Sequence, residues 1–224
     1  LININILKTL AKENFKGKVF YSSSACIYPM EMQDSTDNLG LKETDAYPAH
    51  PDSCYGWEKL FSEQLFEAFA RNNGIDIRIA RFHNIYGIEG TYKGGREKAP
   101  AAMIRKTIEA DKEVEVWGSG TQTRSFLYID ECIDGIIRLM NSDYKKPINI
   151  GSDEMVSINQ LAQMAIDSSG KDLKIKNVYS TALGVKGRNS DNTLIEQKLN
   201  WKPNYSLRKG MKKTFEWISK QYNL

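Results

Sequence analysis

Two short apolar runs, residues 18–22 and 75–80, flank a segment, 55–71, in which Leu60, Phe61, Leu65, Phe66 and Phe69 recur at helical spacing. That order constrains the chain more than any other feature. Strands joined through a helix run parallel, and a parallel sheet is wound with helices. The pattern repeats downstream: helix is expected over 99–110, strand over 113–117 and 124–129, helix to Met140 capped by Asp130, and strand over 147–150. A helix over 157–168 with Ser157 as cap, a strand over 173–178 and helices over 191–199 and 206–222 complete it. Residues 1–13 read as an amphipathic helix with Ile4, Leu7, Leu10 and Ala11 on one stripe, but without a cap or a start methionine, as if the element began upstream. Residues 23–54 form a polar stretch too long for an ordinary connection, and such loops are commonly functional.

The chemistry concentrates where the first strand ends. Ser22-Ser23-Ser24-Ala25-Cys26 precedes Tyr55-Gly56-Trp57-Glu58-Lys59, and on a helix Tyr55 and Lys59 leave the same face one turn apart. A tyrosine near pKa 10 is a poor base at neutral pH, and a neighbouring ammonium favours its ionised form. Tyr-x-x-x-Lys alone is a weak motif; the serine run upstream gives it weight, with any of the three serines able to serve.

Composition excludes several classes. The formal net charge is +3 with acids and bases interspersed, which gives no case for nucleic acid and suits an anionic small substrate. No apolar run reaches membrane length, so no membrane partner is expected. Cys26, Cys54 and Cys132 lack paired spacing and point to free thiols in a reducing, cytoplasmic setting. His50 and His83 stand outside any Cys/His cluster, and no metal is expected. A nucleotide-binding α/β fold places a Gly-rich turn after its first strand. Gly87-Ile88-Glu89-Gly90-Thr91-Tyr92-Lys93-Gly94 has the wrong spacing for it, so that turn is expected upstream of Leu1.

Arg81-Phe82-x-Asn84-x-Tyr86-Gly87, Arg124-Ser125-Phe126-x-Tyr128-Ile129-Asp130, Asn149-Ile150-Gly151 and Leu199-Asn200-Trp201-x-Pro203 extend the pattern. With the Ser-rich strand end and Tyr55-x-x-x-Lys59, they resemble the extended short-chain dehydrogenase/reductases that act on nucleotide sugars, over 1–224. Within that group Ser23-Ser24-Ala25-Cys26-Ile27-Tyr28-Pro29, Gly94-Gly95-Arg96-Glu97-Lys98-Ala99-Pro100, Gln122-Thr123-Arg124 and Gly187-Arg188-Asn189-Ser190-Asp191-Asn192 resemble the GDP-mannose 3,5-epimerases. The resemblance implies a Rossmann-like, doubly wound parallel α/β sheet whose N-terminal part is missing (1–83 and 124–151). A smaller α/β nucleotide-sugar-binding domain (84–123 and 152–224) would accompany it, in a homodimer.

The same resemblance implies bound NAD, a GDP-sugar substrate and a transient ketone at C4. Ser24, Tyr55 and Lys59 would act at that carbon, with Tyr55 and Lys59 also touching cofactor. Cys26 and Lys98 would be the base and acid for epimerisation, which requires a thiol or amine brought toward neutrality by charge or burial. Against this stand an inert buried Cys26 and a solvated Lys98. Lys106, Arg124 and Arg188 match positions for pyrophosphate, and Asn84, Glu97, Ala99, Gln122 and Thr123 match positions near sugar hydroxyls. Cys54 and Cys132 are read as structural and His83 as a hydrogen-bonding loop residue. Two alternatives stay open: a GDP-4-keto-6-deoxymannose epimerase/reductase, which relies on histidine where this chain has Lys98, and a non-catalytic GDP-sugar-binding fragment. A 4,6-dehydratase needs a carboxylate pair that Ala25-Cys26 does not supply.

Overall fold

The computed structural model describes residues 1–180 and 184–222, so the last two residues of the expected second domain and three residues within it lie outside the description. Helix α1 (Ile2–Lys12) leads into strand β1 (Lys18–Ser24), and after three 3₁₀ turns come α2 (Cys54–Asn73), β2 (Asp76–Phe82) and β3 (Ile85–Tyr86). Then follow α3 (Ala99–Glu109), β4 (Glu113–Trp117), β5 (Thr123–Ser125), β6 (Leu127–Tyr128), α4 (Ile129–Asn141) and β7 (Ile148–Ile150). The remainder is β8 (Met155–Ser157), α5 (Ile158–Ser169), β9 (Lys174–Val178), β10 (Gly187–Arg188), α6 (Thr193–Leu199) and α7 (Leu207–Gln221).

The strand–helix–strand logic gives the first sheet: β1, β2 and β7 lie side by side, all parallel, with Ser24 in register with Phe82. Its interior strand β2 is buried on both faces, as a strand covered by helices on both sides must be, and the two arginines it carries, Arg78 and Arg81, are buried with it. Leu7 of α1 and Phe66 of α2 cover one face with Tyr21, Ile77 and Ile79, whereas Leu139, Ile195 and Trp201 cover the other with Ala80 and Ile150. Ile195 and Trp201 thus come from residues grouped by the sequence with the second domain and pack on the first sheet. The second body centres on α3, α5 and α7, whose Ile104, Leu161 and Met211 bury against Val116 and Phe126.

Two expectations are corrected. Residues 124–129 do not form one strand: β5 pairs with β8 and β10, while β6 pairs with β3. The chain changes sheets at Phe126, whose ring is buried in the second core. Asp130 does not cap α4; Tyr128 occupies that position without a side-chain cap bond, and Asp130 instead pairs with Lys213 at 3.1 Å. Ser157 does cap α5, accepting from the Gln160 N–H while Gln160 returns a bond to the Ser157 N–H.

Behind the strand ends lies a buried polar network. Glu63, on the same stripe of α2 as Tyr55 and Lys59, is fully buried and accepts from the Ser23 hydroxyl and from Arg81 at 2.7 and 3.0 Å. Arg81 also donates to the Glu43 carbonyl at 2.8 Å. Tyr28 donates to Asn149 Oδ1 at 2.6 Å, and His83 Nε2 lies 3.0 Å from the same oxygen. Burial first, with Arg188 and Arg81 adding to it, pushes the His83 pKa down to about 3. The unfolded imidazole titrates near 6.5. A base depressed on folding contributes stability above its unfolded pKa and loses it as pH falls, here between about 6.5 and about 3. Urea midpoints at pH 7 and pH 4 are therefore expected to differ less in His83→Gln than in the parent; an unchanged difference would remove His83 as a source of acid sensitivity.

Candidate active site

Parallel α/β sheets present their functional groups at the carboxyl ends of the strands, and here β1 ends on Ser24. Its backbone is extended, and its hydroxyl accepts from the Cys26 N–H at 3.2 Å, starting the 3₁₀ turn Ala25–Ile27. The α2 N-terminus then closes on that turn. A Cβ on Gly56 would stand 2.1 Å from the Cys26 carbonyl oxygen, so only glycine lets the helix approach this far. Ser53 caps the helix through the Gly56 N–H at 3.2 Å. The result sets the Tyr55 phenol beside the Ser24 hydroxyl, close enough for Ser24 to act on its pKa.

The structure separates the three serines. Ser23 is buried and committed to Glu63, and the Ser22 carbonyl accepts from Lys59 Nζ at 2.9 Å, whereas Ser24 meets Tyr55. Lys59 lies 5.1 Å from the Tyr21 ring centre and 5.6 Å from that of Tyr55. The expected lowering of the Tyr55 pKa by Lys59 is not found. Burial raises it, Ser24 opposes that, and Cys26 and Glu58 add to the rise.

Cys26 is half-buried and faces a guanidinium: Arg188 Nη1 is 3.3 Å from its sulfur. Arg188 comes from β10 in the second body, and its other nitrogens donate to Gln33 Oε1 and, at 3.1 Å, to Asp52 Oδ2. Beside this centre opens a cleft of about 330 Å³ bordered by Asn84, Glu97, Lys98, Ala99, Lys106, Gln122 and Arg124, with Arg105 and Trp117. Asn84 takes a left-handed φ of 47° and donates to the Ser125 carbonyl at 3.0 Å. Glu97 is paired with Arg105 at 3.0 Å; burial alone would raise its pKa, but its own N–H, Arg105 and the Gly95 N–H hold it below the usual range.

The two lysines divide differently from the sequence expectation. Lys98, at the α3 N-cap, is exposed, so burial does not desolvate it. Lys106 is the desolvated one: burial lowers its pKa, and its ammonium donates to the Glu115 carbonyl at 2.8 Å, 5.1 Å from the Trp117 ring centre. Burial and then Arg188 depress Arg124 to about 10, which leaves it charged at neutral pH. Its donors go to the carbonyls of Thr123, Val185 and Lys186. Thr123 and Arg188 do not border the cleft; Thr123 donates to the Thr36 carbonyl at 2.6 Å.

Sequence reasoning missed Gln33, Asp52, Glu63, Arg81 and Arg105. Glu63 had a signal, a carboxylate four residues beyond Lys59 on the face carrying the apolar arc. Gln33 and Asp52 had none, since their partner lies 155 and 136 residues away. Among the described residues no three His, Cys, Asp or Glu side chains converge as metal ligands would, and no helix is long and apolar enough to cross a membrane.

The profile of the NAD dependent epimerase/dehydratase family matches residues 1–151. GDP-mannose 3,5-epimerase from Arabidopsis thaliana is 50% identical over 221 residues, which are 99% of this chain and 58% of that protein. The chain therefore spans less than two thirds of that relative. UDP-glucuronic acid decarboxylase 6 from the same plant is 33% identical over 78% of this chain and 52% of its own length. Among solved structures, UDP-glucuronic acid 4-epimerase from Bacillus cereus with UDP-glucuronic acid and NAD superposes with a TM-score of 0.81 at 27% identity, covering 98% of this chain and 68% of the other.

Proposed function

The chain belongs to the NAD dependent epimerase/dehydratase family, and from that premise we propose that it carries the reacting groups of an epimerase that inverts GDP-mannose at C3 and C5 through a C4 ketone. One observation carries the reading. A hydroxyl-handling pair, Ser24 and Tyr55, adjoins a second proton-handling group, Cys26, which faces the Arg188 guanidinium. Simple oxidation of an alcohol would use only the first. The 50% identity to a GDP-mannose 3,5-epimerase supports the choice of sugar nucleotide.

The residues present suit NAD. Tyr55 and Lys59 stand at the carboxyl end of the parallel sheet, and Lys59 has donors beyond the one given to Ser22, enough for ribose hydroxyls. Bound there, NAD supplies hydride acceptance from C4 and its later return. Ser24 holds the C4 oxygen and Tyr55 exchanges its proton. The raised pKa of Tyr55 makes the protonated phenol its resting form, the one that gives the proton back. A C4 carbonyl acidifies C3–H and C5–H, so Cys26 removes a proton to leave an enolate and Lys98, which borders the cleft, delivers one to the opposite face. Lys106 and Arg124 supply positive charge for pyrophosphate, and Asn84, Glu97, Ala99 and Gln122 border the sugar.

Incubation with NAD and GDP-mannose in D₂O, read by NMR, is expected to place deuterium at C3 and C5. Protein that binds both ligands yet leaves both carbons unlabelled would sink the proposal. Turnover of GDP-4-keto-6-deoxymannose in its place would favour the epimerase/reductase alternative.

A second copy is the partner we assign to the outer face of α1 and α2. The helices are tied by an Asn3–Ser62 bond of 2.9 Å and expose Ile2, Ile6, Trp57 and Phe61, the last at 63%. Phe61→Asp is expected to convert a dimer to a monomer in sedimentation velocity; a parent that is already monomeric would remove the assignment.

A further inference from the structure

The Arg188 guanidinium reaches the Cys26 sulfur because three chain segments converge on it. Gln33, fully buried in the 3₁₀ turn Met30–Gln33, is itself fixed by donating to the carbonyls of Tyr28 and Pro29, both at 3.1 Å. It accepts from Arg188 Nε, while its backbone carbonyl accepts from the Lys186 N–H at 3.0 Å, two residues before Arg188. Asp52, whose side chain is 21% exposed, accepts from Nη2. With Nε and Nη2 both committed, the planar fork has one remaining direction for Nη1, and that direction holds the sulfur. We infer that Asp52, with Gln33, is a positioning residue that aims Arg188 at Cys26.

The competing role for Asp52 is neutralisation of a cation that would stay in place without it. Geometry distinguishes the two. The Arg188 side chain is only 9% exposed, and removing one acceptor from a nearly buried guanidinium leaves a donor without a partner. The guanidinium then turns toward water, and the sulfur loses its charged neighbour. The other charged or titratable groups acting on Cys26 are Arg124 from β5 and Tyr55 from α2. Neither touches Asp52 through a hydrogen bond, but Arg124 feels its charge, which is why the comparison must be made between variants that both lack the carboxylate.

The test is the ratio of Cys26 alkylation rates with iodoacetate and iodoacetamide, followed by peptide mass spectrometry. The same thiolate displaces iodide from both reagents, so the ratio cancels the ionised fraction and reports local charge. Asp52→Asn and Asp52→Ala both remove the carboxylate charge, but only Ala also removes the acceptor, so the ratio in Asp52→Ala is expected about fivefold below that in Asp52→Asn, the effect of moving one unit charge away from about 4 Å in water. Asp52→Glu should keep the parent's ratio, and in an Arg188→Ala background Asp52→Ala and Asp52→Asn should give the same ratio. Buried Cys132 staying unlabelled shows that each variant is folded; if Asp52→Ala labels it, Asp52→Leu, which fills the space without an acceptor, is read in its place. Equal ratios in Asp52→Ala and Asp52→Asn, a higher ratio in Asp52→Ala, or the same difference without Arg188 would overturn the assignment. The use of this arrangement in proton transfer rests on the epimerase reading, but the alkylation ratio does not, so either can fail alone.

Discussion

Glu63→Ala is expected to destabilise the fold by roughly 3–5 kcal/mol, the usual cost of breaking a buried ion pair from one side. The substitution removes the acceptor of both the Ser23 hydroxyl and two Arg81 nitrogens, while Arg81 stays almost fully buried with only the Glu43 carbonyl and Tyr28 as partners. No water-exposed route relieves that charge, because it stands under the carboxyl ends of β1 and β2. Domains are typically stable by about 5–15 kcal/mol, so the loss is a large share of the whole. Urea denaturation measures it directly. Glu63→Gln, which keeps an acceptor for Ser23, should lose less. A Glu63→Ala midpoint shift worth under about 1 kcal/mol, the value of an exposed pair, would mean that the network is not what joins α2 to the sheet.

Cys26→Ala should lower solvent-deuterium incorporation at C3 and C5 of GDP-mannose by about 10²–10⁴-fold, the range for removing a positioned acid or base. Binding of the sugar nucleotide should change little, since its affinity is assigned to Lys106, Arg124 and the residues bordering the cleft rather than to the thiol. Cys26→Ser separates chemistry from packing. It leaves Arg188 an oxygen to bond but replaces the thiol with a far weaker acid, so it should be nearly as inactive as Ala. Full exchange at both carbons in either variant would remove the sulfur from the reaction.

Local pattern made the scaffold legible. The apolar runs at β1 and β2 and the stripe on α2 specify a parallel pair with its covering helix because each is a periodic, short-range signal. The Ser157 cap was legible for the same reason. The break at Phe126 was not: residues 124–129 alternate like one strand, and what divides them is the pull of two different cores on adjacent residues. In the site, the resemblance supplied Cys26, Tyr55, Lys98 and the cleft residues. It also named Ser24, but not why that serine rather than its neighbour is free for Tyr55, which depends on Ser23 being claimed by Glu63 on another element. Nor could it foresee that Lys106, not Lys98, is the desolvated lysine, since burial depends on the distant Glu115–Trp117 wall.

The Cys26–Arg188 contact joins residues 162 positions apart. Contacts between such remote segments carry a large loop-closure cost and form only when the intervening chain is arranged. A nascent or partly folded molecule therefore holds an ordinary cysteine, and the sulfur meets its guanidinium only when β10 has docked. The reactive centre is in this way its own proof of assembly: the chain cannot present the aimed sulfur before its last third is in place.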